Sequence, residues 1–234
     1  MKKILLISSL FLVLFVDQTF GEAEEKVSTN GDILFIENEG QIPPVSPEDN
    51  EEIVPVYPPT KGPLSISYVP DIYFGTHVSN ENKDTINALS NKVKNKKKIE
   101  ESNASHFIQV NDFRGTGGGW KLNVKANEPL TNEKGTELEG ASIIFSVFKV
   151  KSLDNLPKKY NPSNLYKEES LLIGGKESIT LAVTNQFEGF GRWHLYLDDL
   201  ENKSKKIQLK IPKNTMIESG IYSTNLTWVL EDNL

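Results

Sequence analysis

Along most of the chain, apolar and polar positions alternate in short runs set off by Gly, Asn, Asp and Pro. Successive side chains of a strand point to opposite faces, so such runs read as half-buried β-strands. From Pro63 onward the pattern predicts strands over residues 64–68, 72–75, 105–113, 119–126, 141–150, 178–184, 192–198, 206–211 and 221–230. An apolar run at 33–36, between Gly31 and Gly40, predicts one earlier buried strand. One stretch departs from this period. Asp84 is placed to cap a helix whose apolar side would carry Ile86, Leu89 and Val93. That pattern is thin, and a mobile excursion fits it better than a stable helix. Strands at this spacing predict an all-β fold, an antiparallel β-sandwich or barrel-like single domain.

Residues 40–62 interrupt the alternation. Six prolines fall between positions 43 and 59, with Glu48, Asp49, Glu51 and Glu52 in their midst. Proline has no N–H to give to a sheet ladder. The segment therefore reads as an extended, solvated, Pro-rich acidic loop inserted after the first strand.

The amino end carries Lys2 and Lys3, an apolar stretch from Ile4 to Val16 broken by two serines, then Thr19 and Gly21 before Glu22. Small residues at −3 and −1 of a cleavage point complete a signal-peptide pattern over residues 1–21, too short for a comfortable membrane span. Residues 22–234 are then the mature domain, a length that suits one core. It has no cysteine. An exported chain without disulfides points to a bacterial product, and without Cys there is no acylated lipoprotein anchor. No later stretch reads as a membrane span or as a sorting signal. Retention at the cell surface would fall to the folded domain itself.

Charge is uneven. Residues 22–61 carry ten acids against two lysines, a balance of −8, whereas residues 62–234 carry 22 basic and 21 acidic side chains, a balance of +1. The folded part is near neutral, which excludes nucleic acid as the expected partner. The run Lys92, Lys94, Lys96, Lys97 and Lys98 is read first as a solvated loop and only second as a patch for anionic polymers.

All three tryptophans fall in one triplet: Trp120-x-Leu122, Trp193-x-Leu195 and Trp228-x-Leu230. In each strand the Trp shares a face with its Leu, and polar residues take the other face. Core positions are therefore the first reading, and sugar-stacking surface rings the second. A final strand anchored by Trp228 is not expected to fray, and loss of the last seven residues is expected to unfold the domain. Glycines precede two of the triplets, in "RGTGGGW" and "EGFGRW". A phosphate-loop reading of "GTGGG" fails because no Lys-Ser/Thr follows and the segment enters a strand.

These segments carry a resemblance. "GPLSISYVPDIYFG", "FIQVNDFRGTGGGWKLNVKA", "GASIIF" and "IPKNTMIESGIYSTNLTWVL" resemble the WxL cell-wall-binding domain of Gram-positive surface proteins, over nearly the whole mature chain. The resemblance implies that Trp120, Leu122, Trp228 and Leu230 form the cell-wall-binding motifs, with Asp112, Arg114, Trp193 and Tyr222 as accessory positions. It implies a secreted protein at the cell wall, attached non-covalently to peptidoglycan or an associated wall polymer. It further implies complexes with other WxL proteins and a membrane-anchored partner, and adhesion to host matrix proteins in some relatives.

No constellation for catalysis or metal binding stands out. His77, His106 and His194 are scattered, no Ser-His-Asp or paired-carboxylate set is evident, and no cofactor is expected. Asp112 and Arg114 flank a turn and are read as a local ion pair. The expected function is a wall-binding module and not an enzyme. The competing reading is a protein scaffold or adhesin subunit held by a membrane-anchored partner, without direct wall binding.

Overall fold

The structure, a computed structural model, describes residues 32–34, 40–78, 84–98, 100–200, 206–213 and 215–233. The predicted signal peptide lies outside the described residues, as do Phe35 and Ile36 of the predicted first strand. Of the amino-terminal unit, which runs to Phe35, residues 32–34 form no strand, and Ile33 and Leu34 are exposed. The described part of that predicted buried strand is thus not one. A four-residue apolar run specifies neither a ladder partner nor a face.

The second unit, from Ile36 to Leu234, is all-β. Its described strands are β1 (Ile53–Val54), β2 (Leu64–Tyr68), β3 (Thr85–Asn87), β4 (Asn91–Asn95), β5 (Glu101–Ala104), β6 (Phe107–Asp112), β7 (Gly119–Lys125), β8 (Thr131–Asn132), β9 (Ser142–Phe145), β10 (Lys149–Ser152), β11 (Asn164–Leu165), β12 (Glu169–Leu172), β13 (Ile179–Val183), β14 (Gly191–Tyr196), β15 (Gln208–Lys210), β16 (Tyr222–Ser223) and β17 (Thr227–Asn233). A single 3₁₀ turn, Lys158–Tyr160, is the only described helix.

Among the described residues every strand pairing is antiparallel, and the strands form separate sheets, not one continuous ladder. Three four-stranded sheets, β10-β14-β6-β2, β11-β13-β7-β17 and β12-β9-β15-β3, each send residues into one core. Val110, Trp193 and Leu195 come from the first, Trp120, Leu122 and Leu181 from the second, and Ile143, Phe145 and Leu209 from the third.

The weak helical pattern resolves as strand. Ile86 lies in β3, paired with Leu209, and Val93 in β4, buried. Three apolar residues at helical spacing were outweighed by Thr85, Ile86 and Val93, whose β-branched side chains favour the pleat. The predicted strand 141–150 splits between two sheets. The Val147 N–H donates to Tyr166 O and the Phe148 N–H to Tyr196 O, so the chain changes ladders there. Residues 72–75 form no strand, although Ile72 and Phe74 pack on the core.

The largest correction concerns the Pro-rich segment. Its first half is not a solvated loop: Ile42, Pro44, Ser46, Pro47 and Ile53 are buried, while residues 54–62 are exposed or half-buried. The segment lies as a strap over the second face of the β10-β14-β6-β2 sheet. That face is polar, with Ser65, Ser67, Gln109, Asn111 and His194 all buried. The strap supplies partners for Gln109 and Ser67, while Asn111 bonds Ser65 and Ser67 of its own sheet. The Val45 N–H donates to Gln109 Oε1 at 2.9 Å and the Ser67 hydroxyl to Ile42 O at 2.6 Å. Tyr196 donates to Pro47 O and the Ser105 N–H to Glu48 Oε1. Proline makes this possible, since a segment poor in N–H groups leaves fewer buried donors to satisfy.

The lysine run is likewise a strand with paired ends. Lys92 and Lys94 face solvent from β4, Lys96 pairs with Glu52 at 2.7 Å, and Lys98 pairs with Glu51 and Asp49 at 3.3 and 3.6 Å. The acids of the strap are thus partners of the lysines just beyond β4. β1, inside the strap, pairs directly with β4.

His194 sits under this cover, its ring 4.7 Å from that of Phe107. Burial, with Lys151 and Arg192 nearby, pushes its pKa down to about 3. The unfolded chain titrates near 6.5, so only the unfolded state gains a proton between those values. The neutral ring's contribution to stability is therefore full above pH 6.5 and is lost as pH falls toward 3. Between pH 7 and pH 5 this removes about 2 kcal/mol. Urea titrations across that interval should show the loss in the wild type and a flatter slope in His194→Gln.

Candidate functional site

The two motifs at positions 120 and 228 form one object. β7 and β17 pair antiparallel over seven residues, with Leu122 opposite Leu230, Trp228 opposite Val124 and Trp120 opposite Asp232. The two Trp-x-Leu triplets therefore run in opposite directions past each other, with the leucines at the centre of the ladder. Trp120 and Leu122 are completely buried. Trp228 and Leu230 are half-buried and pack against the same core, with the Trp228 ring edge-on to Phe145 at 5.8 Å. Tyr222 packs on that core too, but from β16, which pairs with β8 and not with β7. Its hydroxyl donates to Glu218 O.

Trp193 belongs to a different sheet, on β14 opposite Val110, and is also fully buried. It shares with Trp120 a specific task. A buried indole carries one N–H that requires an acceptor. Trp120 Nε1 donates to Gly189 O at 3.0 Å, and Trp193 Nε1 donates to Phe190 O at 2.7 Å. Two adjacent carbonyls of the β13–β14 loop thus cap two tryptophans from two sheets. The approach is close enough to exclude side chains. A Cβ on Gly189 would lie 2.5 Å from Trp120 Nε1, and one on Gly119 would lie 2.1 Å from Thr184 O. Here the glycines of "RGTGGGW" and "EGFGRW" find their use.

Asp112 and Arg114 do form an ion pair, and it reaches further than a turn. Arg114 grips Asp112 with Nε at 2.9 Å and Nη2 at 2.7 Å. The same guanidinium donates to Gly118 O and Gly119 O, each at 3.0 Å, and to Asp232 of β17. The hydrogen bonds to Asp112 lead in raising the Arg114 pKa above its ordinary value, against an opposing desolvation cost. This side chain ties the glycine loop to the last strand.

Beyond these buried groups lies a set of rings that the alternation did not single out. Phe187 is 59% exposed, Phe190 and Phe113 are more than a third exposed, and Tyr160 meets Phe190 edge-on at 4.7 Å. Phe113 directly follows Asp112, the last residue of β6, and Phe190 directly precedes Gly191, the first of β14; the two strand ends are paired. The signal in the sequence was an aromatic inside a Gly-rich turn, "NQFEGFG", where period-2 reasoning does not apply.

The three histidines lie in three separate places. His106 is buried and hydrogen-bonds Asp198, His77 reaches Phe74 O at the surface, and His194 lies under the strap. Among the described residues no group of three His, Cys, Asp or Glu is arranged to hold a metal. No described helix is long and apolar enough to cross a membrane.

Burial ranks the motif residues. Trp120→Ala is expected to cost about 3–5 kcal/mol, because it empties core volume and orphans Gly189 O. Trp228→Ala is expected to cost roughly 1–3 kcal/mol, since part of its ring stays in water. Urea denaturation of the two variants checks both the magnitudes and their order.

No curated protein and no solved structure matches the chain significantly. A family profile does, over residues 22–233, and its description is WxL domain surface cell wall-binding. The match takes in both strands of the paired ladder and the strap that covers the polar sheet face. The chain belongs to the WxL family of surface cell-wall-binding domains.

Proposed function

We propose that the chain is exported with loss of residues 1–21 and attaches non-covalently to the peptidoglycan of a Gram-positive cell wall. The observation that carries this reading is the family match across residues 22–233. The protein acts as a binding module and not as an enzyme. It works in a surface assembly with other WxL proteins and a membrane-anchored partner, and adhesion to host matrix is a property of that assembly. The near neutrality of residues 62–234 favours contacts by shape and stacking over bulk electrostatic capture.

A second reading follows from the burial of Trp120 and Leu122, which offer no surface to any ligand. On that reading the domain is a scaffold retained by its membrane-anchored partner. Sedimentation with purified, protein-free walls separates the two. The mature protein is expected to pellet with the walls. If it stays in the supernatant while a known wall binder sediments, direct binding is excluded. One stoichiometric partner in pull-downs from envelope extracts would then support the scaffold.

A further inference from the structure

The β13–β14 loop, residues 184–190, combines an exposed ring on a left-handed backbone, a fixed geometry and a polar network. Phe187 presents its ring to solvent from a backbone with φ 65°, in the left-handed region. A bulky side chain there carries a conformational cost that Gly or Asn would largely avoid. The loop is nevertheless fixed. The Phe187 N–H donates to Gly117 O and the Gly189 N–H to Tyr160 O, both at 2.8 Å, while two indoles hold the carbonyls of Gly189 and Phe190. Beside the rings lies a network of polar side chains. Asn185 Nδ2 donates to Ser163 Oγ at 3.0 Å, Ser163 Oγ donates to Glu188 Oε2 at 2.8 Å, and the Asn185 N–H also donates to Glu188 Oε2.

We propose that this loop is a glycan-binding platform, with Phe187 and Phe190 stacking on pyranose rings of a wall carbohydrate strand while Asn185, Glu188 and Ser163 hydrogen-bond its polar substituents. The proposal rests on the wall-binding reading above and gives it a place on the molecule. The C–H face of a pyranose is weakly positive and meets the negative face of an aromatic ring. The amide, hydroxyl and carboxylate beside the rings match sugar hydroxyls and N-acetyl groups, which both donate and accept. A platform fixed in advance binds without an ordering cost. Separate rings set in a polar rim lack the contiguous apolar area that a stable protein interface buries. Shallow depressions of about 300 and 380 Å³ lie elsewhere, along the strap and beside Asp84 and Lys213. A polymer laid across a surface needs an open face more than an enclosed cavity, so the platform fits a glycan strand better than they do.

The decisive variant is Phe187→Asn, which removes the ring and relaxes the backbone. It is expected to melt at or above the wild-type temperature and yet bind protein-free walls about tenfold or more weakly. Phe187→Trp should keep binding, and Phe190→Ala, confirmed as folded by its melting curve, should weaken it. Walls with and without their extractable polysaccharide, together with soluble β-1,4-linked N-acetylated aminosugar oligomers, identify which carbohydrate is held. Loss on either wall preparation supports the platform. Wild-type sedimentation with undiminished binding by a Phe187→Asn, Phe190→Ala double variant overturns the platform and leaves wall attachment standing. Absence of wild-type sedimentation overturns both. Walls bound equally while a membrane-anchored protein is no longer captured would make the loop a protein interface and overturn the glycan assignment.

Discussion

An indole taken into a dry core brings an N–H that must find an acceptor there, and in this domain two indoles find theirs on one loop. Trp120 and Trp193 arrive from different sheets and donate to the consecutive carbonyls of Gly189 and Phe190. Leaving either donor unmet in the core would cost about 1–3 kcal/mol. The demand therefore fixes the loop, and the loop in turn requires Gly189, whose place beside the Trp120 ring has no room for a Cβ. Gly119 faces the same limit against Thr184 O, so "RGTGGGW" and "EGFGRW" are two sides of one contact. Arg114 completes it, holding Asp112, the carbonyls of Gly118 and Gly119, and Asp232. The last strand is thus tied to the glycine loop as well as paired to β7.

The strap solves a different problem. The β10-β14-β6-β2 sheet buries both faces, yet only one is apolar. Gln109, Asn111, Ser65 and Ser67 on the other face carry more hydrogen-bonding groups than a hydrophobic layer would satisfy. A Pro-rich strap suits such a face, because it brings carbonyls in excess of N–H groups. Its acids lie at the rim, where Lys96 and Lys98 meet them. Exposed pairs of this kind contribute little each. They orient the strap, while Ile53, Val93, Ala104, Phe107 and Tyr68 form the small apolar cluster beneath it.

How much of this was legible in the sequence follows from how local each signal is. β2 matches its predicted range residue for residue, β6, β7 and β13 lie within theirs, and β14 starts one residue ahead of its range, because each alternates over five to seven residues beside a clear turn. The inward direction of Trp120 and Leu122 came from the same alternation. The strap was misread because prolines and acids together describe solvation unless a polar sheet face waits elsewhere, and Gln109 and Asn111 look like ordinary outward positions. β3 and β4 were missed because Ile86, Leu89 and Val93 fit helical spacing by number alone. Phe187 and Phe190 lie in a turn, where no periodicity assigns a face. The tie from Arg114 to Asp232 spans 118 residues, a distance over which no local pattern carries information.

The two paired triplets are not equally accessible: Trp120 and Leu122 are fully buried, whereas Trp228 and Leu230 keep part of their surface in water. Trp120 and Leu122 have no exposed atoms, so a ligand could reach them only by opening the core. Their pattern specifies a ladder, β7 against β17, and an acceptor requirement that shapes the β13–β14 loop. Those constraints commit the carbonyls of Gly189 and Phe190, while the Phe187 ring, against Gly117, and the Phe190 ring, edge-on to Tyr160, keep part of their surface in water. A family recognised by its Trp-x-Leu triplets is on this argument recognised by its framework. Ligand preference would vary with the rings and polar groups at the loop tip, and two members sharing both triplets need not grip the same polymer.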